Sequence, residues 1–124
     1  MDIIISNSDK TPIYEQIARQ IKDMIMDGTL KEGDALPSMR YLAKELRISM
    51  ITTKRAYEDL ERDGFIESYV GRGSFVKGAN QDFIREQNRK EMENYLELAC
   101  EKAKLSGVTQ GEMAELLSVF FEDC

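Results

Sequence analysis

Apolar residues recur at every third or fourth position near the start of the chain, which is the period of an amphipathic helix. Isoleucines follow this spacing from Ile13 to Ile21. Thr11 and Pro12 come just before them, and this pair suits the N-cap and the first position of a helix. Gly28 is a typical residue at a helix end, so the pattern predicts a first helix that stops there. A loop with one glycine and one proline follows over residues 29–37.

Two shorter helical segments come next, and a tight turn joins them. Ser38 is a suitable N-cap for a second helix that reaches about Arg47. Ser49 is a suitable N-cap for a third helix, from Met50 to near Asp63. Two helices joined by a three-residue turn predict a helix-turn-helix, although this turn lacks the glycine often found there.

Beyond Gly64 the pattern becomes typical of β-strands. Residues 65–70 and 74–76 are rich in aromatic and β-branched side chains, and the glycine-containing stretch 71–73 lies between them. Two such runs around a short glycine turn predict a β-hairpin. Three helices followed by a hairpin form a winged helix-turn-helix.

A helical period returns after a boundary expected near residues 78–80. One long helix is predicted over about 81–105, and a last helix is predicted after Thr109, a suitable N-cap. Two helices in 46 residues cannot close a core of their own, so their apolar faces must pack on the first domain, on a second copy, or on both. The candidate dimerisation residues are the apolar residues Tyr95, Leu96, Met113, Leu117, Phe120 and Phe121.

The predicted fold is therefore α+β and mostly α. It consists of an N-terminal winged helix-turn-helix, residues 1–78, and a short two-helix C-terminal segment for dimerisation, residues 79–124.

Charge is distributed unevenly over these two parts. The chain of 124 residues has a formal net charge of -6, but residues 1–78 contain 12 Lys and Arg against 13 Asp and Glu, whereas residues 79–124 contain 5 against 10. Residues 40–55 contain five cations and a single acid, Glu45. A local basic patch of this kind is typical of a nucleic-acid interface.

The third helix places part of this patch on its outward face. At 100° per residue, Thr53, Tyr57 and Leu60 share the inward face with Ala56. The outward first turn then consists of Ile51, Thr52, Lys54 and Arg55. A recognition helix presents its N-terminal residues to base edges in the major groove.

Each side chain has a chemistry suited to DNA. Arg55 can bind a guanine edge through two hydrogen bonds, and Met50 or Ile51 can contact a thymine methyl. Thr52 and Lys54 suit phosphates or bases.

Two further arginines lie at separate positions, Arg40 at the start of the second helix and Arg72 in the hairpin turn. Each of these groups also has a purely structural interpretation. The cations are then only solvated, Met50 and Ile51 complete the local packing, and the glycines serve a tight turn.

Other functions are poorly supported by the composition. The chain has no histidine, two cysteines without metal-binding spacing, and neither of the glycine-rich nucleotide motifs. We therefore expect no metal, no cofactor and no enzymatic activity. Neither an apolar run of membrane-spanning length nor a basic leader is present, so a cytoplasmic protein is expected.

Residues 36–76 resemble the DNA-binding domain of GntR-family bacterial transcription regulators, through LPSMR, SMITTKRAYEDL and VGRGSFV. The preceding stretch, which begins PIYEQI, resembles the first helix of the same family, and the short helical C-terminal part resembles its YtrA subfamily. The resemblance implies a homodimeric regulator, usually a repressor, that binds an inverted-repeat operator. It implies DNA contacts by Arg40, by Ser49, Met50, Ile51 and Thr52, by Lys54 or Arg55, and by Gly71, Arg72 and Gly73. Many members have polar residues where this chain has Met50 and Ile51.

Two functions are therefore considered. The first is regulation of transcription by a homodimer that binds DNA sequence-specifically. A small-molecule effector at the dimer interface is one way in which such binding could be switched, and its existence is left open. The second is a winged-helix protein-interaction module that does not bind DNA, an interpretation that the acidic total charge and the apolar Met50 and Ile51 favour.

Overall fold

The computed structural model describes residues 1–78 and 81–124, which fall into two compact units, Met1–Gln81 and Asp82–Cys124. Residues 79 and 80, where the domain boundary was expected, lie outside the described residues. The elements of the described chain follow in the order α1 (Ile13–Met26), α2 (Met39–Leu46), α3 (Met50–Arg62), β1 (Ile66–Tyr69), β2 (Gly73–Val76), α4 (Gln81–Ser106) and α5 (Gln110–Asp123). No helix in these ranges has the length and apolarity needed to cross a membrane.

The first unit confirms the predicted winged helix-turn-helix. β1 and β2 pair antiparallel, with Ile66 opposite Val76 and Tyr69 opposite Gly73. The loop before α2 is irregular, as predicted, but it also pairs with β2: the Leu36 N–H donates to the Ser74 carbonyl at 2.9 Å. The hairpin is therefore anchored to the segment that leads into α2.

Serine caps define the two helices of the motif. The Ser38 hydroxyl accepts a hydrogen bond from the Tyr41 N–H at 3.1 Å, and the Ser49 hydroxyl accepts one from the Thr52 N–H at 3.1 Å. The prediction for α1 was wrong by one residue. Pro12 is the N-cap rather than the first helical residue, because its ψ of 147° is extended and only its carbonyl joins the helix.

The turn between α2 and α3 explains how the motif forms without glycine. Arg47 takes the left-handed conformation, with a φ of 56°, and the Ile48 N–H bonds the Ala43 carbonyl at 3.0 Å. A non-glycine residue in this conformation costs about 1–2 kcal/mol. The packing of α2 against α3 therefore has to offset this strain.

The core of the first unit lies between α1, α3 and the start of the hairpin. Its largest fully buried side chains are Ile17, Ile21, Thr53, Tyr57, Leu60, Phe65 and Ile66. The Tyr57 hydroxyl donates to the Pro37 carbonyl at 2.7 Å, which ties α3 to the residues just before α2. Burial raises the pKa of Tyr57 well above its usual value, so the phenol stays protonated as a donor.

Two glutamines of α1 hold the N-terminal segment. The Gln16 side chain accepts from the Ser6 N–H at 2.9 Å and donates to the Ser6 and Thr11 carbonyls. Gln20 bonds both backbone groups of Ile4. Side-chain amides thus satisfy backbone groups that have no strand partner in the described chain.

The second unit consists of α4 and α5. Thr109 and Glu112 form a capping box at the start of α5, which confirms the predicted cap. Ala103 is the one buried residue among the described residues of this unit, and it lies at the turn where its carbonyl accepts from the Val108 N–H at 2.9 Å.

Candidate nucleic-acid interface

The first turn of α3 is the most exposed apolar part of the helix-turn-helix. Ile51 is 81% exposed and Met50 is 44% exposed, whereas Thr53 and Ala56 on the opposite face are fully buried. The predicted division of α3 into an inward and an outward face is thus confirmed. A β-branched aliphatic residue this exposed contributes nothing to the core, so a packing role for Ile51 is excluded in the described chain.

Ser49 and Thr52 form a small network at the same helix tip. The Ser49 hydroxyl donates to the Thr52 Oγ1 at 2.8 Å while it accepts from the Thr52 backbone. This leaves the Thr52 hydroxyl hydrogen directed to other acceptors. Ser49 is therefore occupied as the cap, and Thr52 is the member of the pair that has a free donor.

The two cations of α3 differ in their surroundings. The Lys54 ammonium lies 3.8 Å from the Glu58 carboxylate, one helical turn away, in an exposed ion pair of little energy. The Arg55 guanidinium instead lies over the Tyr14 ring of α1, with its central carbon 3.8 Å from the ring centroid. The structure thus brings Arg55 to the junction of α1 and α3.

Six other exposed cations of the first unit have no carboxylate partner within salt-bridge distance in the described chain: Lys10, Lys31, Arg40, Lys44, Arg47 and Arg72. Arg40, Lys44 and Arg47 belong to α2 or to the turn after it. The C-terminal end of α3 is different, because Arg62 pairs with Asp59 at 3.1 Å and Lys22 pairs with Asp63 at 2.9 Å. Four of these six unpaired cations therefore lie on α2, on the turn after it and at the hairpin tip.

The hairpin turn presents Arg72 from a tight backbone. The Arg72 N–H bonds the Tyr69 carbonyl at 3.0 Å, and the flanking glycines have φ values of 77° at Gly71 and 101° at Gly73. Residues that carry a side chain rarely adopt this backbone conformation, so the turn requires both glycines. A Cβ at either position would meet no atom within 4 Å. The open space leaves room for a ligand to approach the backbone.

Two side chains at this surface, one exposed and one half-buried, were missed from the sequence. Val70 is fully exposed at the hairpin tip, next to a half-exposed Tyr69. Tyr14 lies under Arg55, although the two residues are far apart in the chain. The hairpin pattern alone offered a signal for Val70; for Tyr14 there was none beyond its position in the first turn of α1.

The residues predicted for dimerisation belong to the second unit, and their apolar side chains are exposed there. Leu96 is 44% exposed, Tyr95 64%, Phe120 63% and Phe121 77%, and Leu117 is similarly open. Met113 is half-buried beside the turn. On α4 the apolar face forms an open groove of about 470 Å³ lined by Asn88, Glu91, Met92, Tyr95, Leu96 and Ala99.

Most of the first unit matches a known protein family. The model of the bacterial regulatory proteins of the gntR family matches residues 13–76. The HTH-type transcriptional repressor YtrA of Bacillus subtilis strain 168 is 45% identical over 74 residues, which are 60% of this chain and 57% of that protein. The uncharacterised HTH-type regulator YhcF of the same organism is 34% identical over 111 residues, 90% of this chain and 91% of that protein.

Solved structures extend the likeness to the second unit. A transcriptional antiterminator from Listeria monocytogenes EGD-e superposes with a TM-score of 0.73 at 27% identity, covering 99% of this chain and 92% of that one. The AraR DNA-binding domain in complex with operator ORE1 superposes with a TM-score of 0.52 at 25% identity, covering 61% of this chain and 93% of that one.

Proposed function

The chain belongs to the gntR family of bacterial regulatory proteins, and from this membership we propose that it represses transcription by binding an inverted-repeat operator as a homodimer. The observation that supports this most is the exposed tip of α3 beside cations that have no acidic partner in the described chain. A repressor is favoured because the relative YtrA is named as one. A regulator of bacterial genes works beside the chromosome, so we assign it to the cytoplasm.

We assign base readout to the tip of α3. Ile51 contacts a thymine methyl, because its aliphatic side chain extends away from the core. Thr52 donates its free hydroxyl hydrogen to a base or a phosphate. Arg55 binds a guanine edge through two N–H groups. Met50 adds apolar contact, while Ser49 fixes the helix end.

We assign backbone contacts to the cations around this tip. Arg40, Lys44 and Arg47 lie on α2 or the turn after it, where a helix-turn-helix crosses the phosphates. Arg72 enters the minor groove or binds a phosphate at its edge, and Gly71 and Gly73 allow the backbone to come close. Lys54 releases its exposed pairing with Glu58 at little cost when it meets a phosphate.

Dimerisation is proposed because the second unit leaves its apolar faces open. Tyr95, Leu96, Leu117, Phe120 and Phe121 are all exposed, and α5 contains no buried residue. Large apolar side chains exposed in this number are typical of a protein that has an interaction surface. Two copies present two recognition helices at a fixed spacing, which matches an inverted repeat.

Residues 79–124 contain more acids than cations, which also supports assigning the DNA contacts to the first unit. The negative charge disfavours contact of α4 or α5 with DNA phosphates. A small-molecule effector that binds between two copies acts by favouring one spacing of the recognition helices.

The second function considered, a protein-interaction module, is supported by the exposed Met50 and Ile51. Selection of bound sequences from random duplex DNA separates the two. We expect a palindromic consensus, with affinity that falls steeply as salt concentration rises. Enrichment of no sequence at low salt, by a chain that sedimentation shows to be dimeric, would reject operator binding and favour the interaction module.

A further inference from the structure

Tyr14 and Arg55 form a contact between α1 and α3 that the assignment of DNA contacts leaves unused. The central carbon of the Arg55 guanidinium lies 3.8 Å from the centroid of the Tyr14 ring. This is the separation of two planar groups in van der Waals contact, as in a stacked arginine on an aromatic face. Tyr14 is half-buried and Arg55 is exposed, so the stack lies at the surface of the first unit.

Stacking leaves the arginine able to read a base. The ring occupies one face of the guanidinium, whereas the N–H donors lie in its plane and point outward from its edge. Arg55 has no carboxylate within salt-bridge distance in the described chain. A guanine edge offers two acceptors, N7 and O6, to such a planar donor pair. The aromatic contact and the base contact are therefore compatible.

We propose that Tyr14 is a positioning residue for DNA recognition: it holds the guanidinium of Arg55 in the orientation that reads one base pair. A long arginine side chain loses rotamer freedom when it binds. On this surface the ring has already restricted that freedom, so less is lost on contact with DNA. The inference rests on the proposed function, because it requires α3 to enter the major groove.

The contact between Tyr14 and Arg55 is not needed to hold α1 against α3. Ile17 and Ile21 of α1 and Ala56 and Leu60 of α3 are already fully buried in that packing. Lys22 of α1 also bonds Asp63, just after α3, at 2.9 Å. An exposed stack adds little to a junction built this way, so removing the ring should spare the fold.

A double-mutant cycle on a selected operator tests the inference. We expect Tyr14→Leu to weaken binding about 3- to 10-fold, the range of a partly exposed cation–π contact. It should also relax the preference at the same base pair that Arg55→Ala relaxes. In the Arg55→Ala background, Tyr14→Leu should have no further effect. Tyr14→Phe retains the ring and should bind within about 2-fold of the original chain.

Thermal unfolding of each variant is measured first, and Tyr14→Gln replaces the leucine variant if that one fails to fold. Equal weakening on all duplexes, or additive losses in the double variant, would overturn the inference and leave the proposed function standing. If the unsubstituted chain prefers no duplex, the proposed function fails and the inference fails with it.

Discussion

The two units of this protein bury their apolar residues to very different extents. In the first unit, seven large side chains from α1, α3 and the hairpin are almost fully buried, and capped helices surround them. In the second unit, α4 is longer than any helix of the first unit and α5 is as long as α1, yet Ala103 is the one buried residue described there. A sequence that forms regular helices therefore does not always form a buried core. The first unit has both, while the second has helices whose apolar residues stay largely exposed in the described chain. We expect a partner surface to cover them, because most helices gain their stability from packing.

The largest expected effect comes from a cavity in the core of the first unit. Leu60 is fully buried, so Leu60→Ala should lower the free energy of unfolding by about 2–5 kcal/mol. Leu105 of α4 is 82% exposed, and Leu105→Ala is the matched control, with an expected change below about 0.5 kcal/mol. Urea unfolding followed by circular dichroism measures both. Equal losses would show that the two units are not as different as described.

Charge on the open face of α5 should separate the second unit from its partner. Phe120→Glu places a carboxylate in the proposed interface and should weaken dimerisation by about 3 kcal/mol, or roughly 100-fold. The control is Glu122→Gln, an exposed substitution in the same helix. Sedimentation equilibrium reports the dissociation constant. A variant that dimerises like the original chain would place the interface elsewhere.

Removing one buried hydroxyl should weaken the first unit alone. Tyr57→Phe deletes the 2.7 Å bond to the Pro37 carbonyl and should cost about 1.5 kcal/mol, because that carbonyl loses its buried donor. The matched control is Tyr41→Phe, whose side chain is 57% exposed on α2. We expect the thermal midpoint to fall for the first variant only. A change confined to the second variant would contradict the burial of Tyr57.

Two glycines, one in each unit, have different backbone conformations and should respond to substitution by alanine in opposite ways. Gly71 has a φ of 77°, so Gly71→Ala should destabilise the hairpin by about 1 kcal/mol through backbone strain. Gly111 is helical, and an added Cβ would be 3.9 Å from the Thr109 hydroxyl, so Gly111→Ala should stabilise α5 by up to about 1 kcal/mol. Unfolding curves should shift in opposite directions. Shifts in the same direction would refute the assigned conformations.

Substituting single cations should show that DNA attraction belongs to the first unit. Arg40→Ala removes one proposed phosphate contact and should reduce the salt dependence of binding by about one ion. Lys104→Ala removes an exposed lysine of α4 and should leave that dependence unchanged. Titration at several salt concentrations measures both slopes. A larger effect of Lys104 would mean that the second unit contacts DNA.

The structural features that were predicted correctly depend on residues close together in the chain. Ser38, Ser49 and Thr109 were assigned as caps from their local context, and the structure confirms each one. The inward face of α3 followed from helical periodicity alone. Pro12 was misplaced by one residue, because proline suits both the cap and the first turn.

The features that sequence reasoning missed depend on residues distant in the chain. The stack of Arg55 on Tyr14 joins two helices, and no pattern along the chain encodes their crossing. The pairing of the loop at Leu36 with β2 is also a tertiary contact. The left-handed Arg47 violates a local rule, and only the packing around the turn accounts for it. The assigned DNA and dimer contacts remain predictions.

Sedimentation of the chain with its selected duplex, and with a scrambled duplex of equal length, measures how many chains bind each DNA and how tightly. We expect two chains on each selected duplex and weaker, strongly salt-dependent binding to the scrambled one. Equal affinity for both duplexes, or one chain per selected duplex, would contradict a homodimer that recognises an operator.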